Sequence, residues 1–130
     1  DDMVRVKLLS DHTPVGFCDD MSRGFMECRG IGIINIEELF GIRFVRLEKR
    51  IDLVVTFLED SSQEEPDRTG LDRKMFDLLG VDVPHMEIPL RPGRDMARLV
   101  EVAAMVQSAR QLGHDSANDF NEKLLKKMNG

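Results

Sequence analysis

"MECRGIGIIN", Met26 to Asn35, sets a carboxylate (Glu27) and a guanidinium (Arg29) against a glycine-spaced apolar run whose composition suits burial. A charge taken out of water is costly unless it is paired or holds a metal, so this pair needs a reason. Gly30 and Gly32 invite a dinucleotide-binding reading. That reading fails, because the third glycine would fall at Asn35 and no strand–turn–helix unit of the right length surrounds it. The chain has no G-x-x-x-x-G-K-[ST] loop either, so by itself it cannot cradle a nucleoside triphosphate in the P-loop manner. The fold must be read from the segments on either side.

Upstream, "MVRVKLL" alternates at Val4, Val6 and Leu8, the period of a half-buried strand. Asp1 and Asp2 stand at its lip. A domain seldom opens on a strand with two carboxylates and nothing before them, so more protein is expected ahead of this point. "SDHTP" predicts a turn, since Asp11 can bond its own backbone and Pro14 forbids a regular ladder. Asp19 to Phe25 predicts a short helix feeding the opening stretch.

Downstream, Asn35-Ile36-Glu37-Glu38 is a helix start, with an Asn cap, acids in the first turn and a glutamate at the capping-box position; Gly41 is the stop. "IDLVVTFL", Ile51 to Leu58, predicts a strand covered on both faces. "EDSSQEEP", Glu59 to Pro66, predicts an exposed loop or lid. Met86 to Leu90 predicts a second short strand, with Pro89 at an edge or a strand end. A long helix capped by Asp95 should run to Gly113, packing deeply through Leu99, Val102, Ala103 and Val106, with Val100 and Ala104 widening that face. A last helix, about Ser116 to Met128, takes Ser116 or Asp115 as cap and carries lysines near its end, where the helix dipole favours them. No internal repeat or low-complexity tract interrupts this order. The pattern predicts an α/β fold, strands first and then two C-terminal helices.

At 130 residues one domain is expected. Hydrophobic residues make up 42% and charged residues 32%, a globular balance, and the apolar runs are far too short to cross a bilayer. "DDMVRVKLLS" does not read as a secretory signal, and two cysteines, Cys18 and Cys28, are too few for a disulfide framework, so a cytoplasmic location is expected. A net charge of -6 and the lack of Trp and Tyr argue against nucleic acid.

His12, His85 and His114 lie far apart without a metal-ligand pattern, and neither cysteine has an activating sequence, so surface or satisfied roles are the default for all five. Asp2, Glu27, Arg68, Arg91 and Arg94 remain. Each alone reads as a solvated charge. Together they offer one carboxylate for a metal, one as a base, and cations around a tetrahedral anion; Arg91 and Arg94 flank Pro-Gly ahead of a helix start, where free N–H groups favour anions. That set suits phosphoryl transfer.

"MECRGIGIIN", followed by "LFG", "EKRIDLVV", "DRTGL", "IPLRPGRD" and "VEVAAM", resembles in order and spacing the C-terminal half of the catalytic domain of bacterial HPr kinase/phosphorylases. The resemblance implies a partial P-loop kinase-like fold related to phosphoenolpyruvate carboxykinase, and a homohexamer. It implies a bifunctional enzyme that phosphorylates a serine of the phosphocarrier HPr with ATP or pyrophosphate and removes that phosphate by phosphorolysis, regulating carbon metabolism and sugar uptake. By the same resemblance Asp2, beside Asp1, is the catalytic acid/base and Glu27 is a Mg²⁺ ligand. Arg29, Gly30 and Gly32 belong to the signature serving both reactions, and Arg68 is the active-site arginine. Pro89, Leu90, Arg91, Pro92, Gly93 and Arg94 form a loop linked to dephosphorylation, where Arg91 and Arg94 hold phosphate or HPr.

Cys28 and Ile31 stand in place of aliphatics expected there, and Asp95 in place of an Asn. The missing P-loop is the larger departure, and the expectation is that these residues are one part of a longer protein, inactive alone. The rival is a degenerate, non-catalytic module that binds HPr or a sister subunit. A weaker alternative is a small-anion sensor built around "RPGR".

Overall fold

The alternation near the start of the chain becomes strand β1 (Arg5–Leu8) in the computed structural model, with Val6 and Leu8 half-buried and Arg5 and Lys7 in solvent. The structure describes residues 3–59 and 73–130, in two compact units: one runs to Ile51 and adds Asp77–Val81, and the other takes Asp52–Phe76 and Asp82–Gly130.

In the first unit β1 pairs antiparallel with β2 (Pro14–Phe17), Leu8 opposite Pro14 and Arg5 opposite Phe17. The predicted turn joins them, with Thr13 N–H donating to Asp11 Oδ1 at 3.1 Å. Bonds from Thr13 hold the Asp11 carboxyl below the usual carboxylate range. β2 was not legible in the sequence because Pro14 argued against a ladder; it stands at the first position of the strand, where a missing N–H is tolerated. β2 also pairs antiparallel with β5 (Glu48–Arg50), and its Val15, 3% exposed, is the buried centre of this sheet. A Cβ at Gly16 would lie 3.1 Å from Val4 Cγ1, so the exposed valine would have to give slightly to admit one.

The short helix expected over Asp19 to Phe25 does not form. Consecutive turns take its place: Ser22 N–H donates to Asp19 O and Phe25 N–H to Ser22 O, both at 3.1 Å, and Gly24 turns left-handed at φ 84°. Seven residues give too few hydrogen bonds to offset helix nucleation, and the Asp19 carboxylate is instead engaged by Arg5 Nε at 3.0 Å. The chain then enters the antiparallel hairpin of β3 (Phe25–Cys28) and β4 (Gly32–Asn35), which the sequence reading also missed. Asn35 caps α1 (Ile36–Phe40) as expected, accepting from Glu38 N–H at 3.2 Å, and Gly41, at φ 104°, ends it.

In the second unit β6 (Val54–Leu58) runs parallel to β8 (Val81–Pro89), from Val54 opposite His85 to Leu58 opposite Pro89, and β7 (Lys74–Leu78) flanks β8 on the other side. The strand expected over Ile51 to Leu58 is therefore present but not covered on both faces. It lies at a sheet edge, and Phe57 is 47% exposed. β8 ends on Pro89 as predicted, and its Val83, 3% exposed, is the sheet's buried centre.

β7 and β8 are joined by Leu79 and Gly80, at φ 52° and 85°. Two left-handed residues in a two-residue loop are the geometry for which Asn-Gly is preferred, and a leucine there is strained. Leu79→Asn should raise stability by about 1 kcal/mol, read as a higher urea midpoint at unchanged slope; a lower midpoint would show that the exposed leucine makes compensating contacts.

Asp95 and Asp115 cap α2 (Met96–Gln111) and α3 (Ser116–Asn129), each carboxylate accepting from the backbone N–H three residues on. The inward face of α2 is rotated from the expected one. Ala103 and Gln107 are buried, Leu99, Val100 and Val106 are half-buried, and Val102 and Ala104 face solvent. A glutamine was not counted as core in an apolar tally, yet Ala103 and Gln107 lie one turn apart on the same stripe. Asp115 also pairs with Arg73, and Arg110 Nε lies 3.9 Å from it. Burial, with Arg73's charge beside it, lowers the Arg110 pKa. Among the described residues no helix is long and apolar enough to cross a membrane.

Candidate active site

Asp2 and Arg68 lie outside the described residues. The other candidates fall into two groups, one in each unit.

The first group sits on the β3–β4 hairpin. Glu27 is the third residue of β3, opposite Ile33; Cys28 pairs with Gly32, and the chain reverses over Arg29, Gly30 and Ile31, with Ile31 N–H donating to Cys28 O at 3.0 Å. Gly30 and Gly32 have φ of 90° and 115°, values an L side chain rarely adopts, so both glycines are required by the reversal itself. Glu27 and Arg29 are both exposed, and so is much of the run beside them, with Ile31 78% and Ile33 77% accessible. The expected conflict between charge and burial is thus absent here. An exposed carboxylate at Glu27 is within reach of a hard cation and its water shell.

A metal fit can be tested on composition. Among the described residues no three His, Cys, Asp or Glu side chains gather so as to hold a metal ion. Mg²⁺ does not need such a cage, since it binds through one or two carboxylates with phosphate oxygens and water completing the shell. Glu27 can provide one of those carboxylates.

The second group is the loop after β8. Leu90 N–H donates to Leu58 O at 2.8 Å, fastening the loop to the end of β6. Arg91-Pro92-Gly93-Arg94 is then a tight turn: Arg94 N–H donates to Arg91 O at 3.2 Å, Pro92 holds the second position and Gly93, at φ 79°, the third. This is the type II pattern, which puts the Cα atoms of its first and last residues within about 7 Å. Arg91 and Arg94 are therefore close along the backbone, and Arg94 Nη1 reaches back to Pro89 O at 3.5 Å. The start of α2 is less open than its sequence suggested, because Asp95 Oδ1 takes the Arg98 N–H at 3.0 Å.

One contact in the second unit had no sequence signal beyond a polar residue in an apolar strand. Thr56 Oγ1 lies 2.6 Å from His85 Nε2, and the His85 ring meets the edge of Phe76 at 5.4 Å between centroids. His85 is thus a satisfied sheet histidine, the default assigned to it.

A family model described as the HPr serine kinase C-terminal domain matches residues 1–124. The HPr kinase/phosphorylase of Leptospira biflexa serovar Patoc is 45% identical over 126 residues, 95% of this chain and 39% of that protein. That of Geobacter sulfurreducens is 41% identical over 128 residues, 98% of this chain and 40% of that protein. The chain thus spans about two fifths of the length of these curated relatives. The solved structure of the Hpr(Ser) kinase/phosphatase from Coxiella burnetii aligns with a TM-score of 0.74 at 25% identity, covering 92% of this chain and 72% of that one. It shares the mixed α/β order of strands followed by C-terminal helices. With a family model covering nearly its whole length and relatives of this identity, the chain belongs to the HPr serine kinase C-terminal domain family.

Proposed function

We propose that this chain is the C-terminal part of a bifunctional HPr kinase/phosphorylase, a P-loop kinase-like enzyme related to phosphoenolpyruvate carboxykinase that works in the cytoplasm as a homohexamer. The observation that carries the reading is the 45% identity, across 95% of the chain, to a protein named HPr kinase/phosphorylase. The local geometry is compatible with it, since one turn presents two arginines and one hairpin presents an exposed carboxylate on a glycine-hinged reversal.

In the kinase direction the serine oxygen of HPr forms a bond to the terminal phosphorus of ATP or pyrophosphate. The P–O bond to ADP or phosphate breaks, and Asp2 takes the serine proton. In the reverse direction an oxygen of inorganic phosphate attacks the phosphoserine phosphorus, pyrophosphate is released, and Asp2 returns the proton to serine, as microscopic reversibility requires. Glu27 holds Mg²⁺, which would neutralise charge on the phosphate oxygens. Arg68 stabilises charge on the group in transit. Arg29, Gly30 and Gly32 bring backbone and a cation close to phosphate, while Arg91 and Arg94, on the Pro89 to Arg94 loop, bind the incoming phosphate or HPr.

A P-loop supplied by residues outside this chain completes the site. The 130 residues alone should therefore show no turnover in a phosphotransfer assay with HPr, Mg²⁺ and ATP or pyrophosphate, whereas a longer chain carrying G-x-x-x-x-G-K-[ST] should be active. Robust activity of the 130 residues would contradict the reading. A longer chain that binds HPr without phosphorylating it would replace the reading with the non-catalytic module.

A further inference from the structure

The register of the β3–β4 hairpin fixes which side chains surround Glu27. Cross-strand partners share a face, so among the hairpin's paired residues that face carries Glu27 with Ile33 directly opposite, and Phe25 with Asn35 as the next such pair. Asn35 is committed elsewhere, its Oδ1 accepting the Glu38 N–H at 3.2 Å as the cap of α1. Ile33 is 77% exposed, so burial within this unit does not account for a large apolar side chain at that place. What distinguishes the position is its neighbour. Residues opposite one another on an antiparallel pair stand about 5 Å apart between Cβ atoms, near enough for one to set the other's rotamer and to bond its polar end. A lysine or arginine opposite Glu27 would take the carboxylate as an ion pair. An isoleucine offers it no donor, and its β-branch, stiff at χ1, makes a wall along one side of the glutamate.

We propose that Ile33 is a positioning residue for Glu27: it confines the rotamers of the glutamate and, at the one place directly across the ladder, sets no cation in competition with a divalent metal ion. The inference rests on the reading of Glu27 as a metal ligand. Confining the side chain before the ion arrives lowers the ordering cost of binding it. Ile33 touches neither ion nor substrate in this role and acts only through Glu27.

The test uses the longer protein of which this chain is proposed to be a part, in parent, Glu27→Gln, Ile33→Val, Ile33→Ala and Ile33→Lys forms. Mn²⁺ is the probe, and its dissociation constant is read by electron paramagnetic resonance without nucleotide. Ile33→Val keeps the β-branch and should bind Mn²⁺ within about twofold of the parent. Ile33→Ala should loosen binding about two- to fivefold, and Ile33→Lys, which sets an ammonium across from the carboxylate, about tenfold. The lysine's effect should shrink as salt is raised and the alanine's should not, a contrast that a merely structural role would not produce. All three should stay close to the parent's thermal midpoint, since the side chain is exposed. If Glu27→Gln loosens Mn²⁺ while Ile33→Ala and Ile33→Lys bind it as the parent does, this inference fails and Glu27 remains the ligand. If Ile33→Val loosens it as much as Ile33→Ala does, the β-branched wall is not the cause and the inference fails likewise. If Glu27→Gln binds Mn²⁺ as the parent does, or the parent binds none, the metal reading fails and this inference falls with it.

Discussion

Glu27→Gln, made in a full-length protein carrying this segment, should depress serine phosphorylation and phosphorolysis together, each by on the order of 10²-fold or more. The expected size follows from the several kcal/mol that a bound metal contributes to transition-state charge, at about 1.4 kcal/mol per decade of rate. Replacing the carboxylate oxygen with an amide keeps the shape of β3 and leaves its register with β4, Glu27 opposite Ile33, undisturbed. The measurement is activity in both directions against Mg²⁺ concentration. The curve should move to higher Mg²⁺ for both reactions, because the same carboxylate would hold the ion in both directions. A variant with normal Mg²⁺ dependence would remove Glu27 from the metal site.

Arg91→Ala should separate the two reactions. A lost charge-assisted contact to phosphate corresponds to about 2–3 kcal/mol, so phosphorolysis should fall by on the order of 10²-fold, chiefly through a raised KM for phosphate. ATP-driven kinase activity should fall less than about threefold, whereas pyrophosphate-driven activity, the reverse of phosphorolysis, should fall with it. The turn itself should survive, because its shape depends on Pro92, Gly93 and the Arg94 N–H to Arg91 O bond rather than on the arginine side chain. Equal losses of phosphorolysis and ATP-driven kinase activity would end this division of labour between Arg91 and the rest of the site.

Features written in local chemistry were legible in the sequence. Asn35, Gly41 and Asp95 were found because a cap is decided by one side chain and a few neighbouring N–H groups, and the structure places each where its chemistry predicts. The left-handed glycines of the hairpin and of the arginine turn are also set within four residues, yet the reversals they make were not predicted, because Gly30 and Gly32 were weighed only as a dinucleotide motif.

Features decided by distant partners were not legible. β2 hid behind Pro14, which reads as a ladder breaker until its place at the strand's first residue is known. The cover expected over Ile51 to Leu58 depends on what packs against the sheet's two faces, which the strand's own residues do not decide; among the described residues Phe57 is left 47% exposed. The inward face of α2 was displaced because Gln107 and Arg110 pack inward while Val102 does not, a choice made by what the helix meets. The candidate site divides along the same line. Glu27 and the Pro89 to Arg94 loop have a local setting that the structure describes, while their roles, like those of Asp2 and Arg68, rest on family resemblance.

The parallel pairing of β6 with β8 also bears on how the chain finds its structure. Thr56 and His85, bonded across that pair, are 29 residues apart, while the β1–β2 and β3–β4 ribbons close over short loops. Bringing distant segments together carries an entropic penalty before any contact repays it, so such pairings form slowly. The arginine turn hangs from the end of this pair through Leu90 and Leu58. During refolding those two ribbons should form before the β6–β8 pair, and the arginine turn, whose shape is local, should gain its anchor through Leu90 and Leu58 only when the parallel strands have paired.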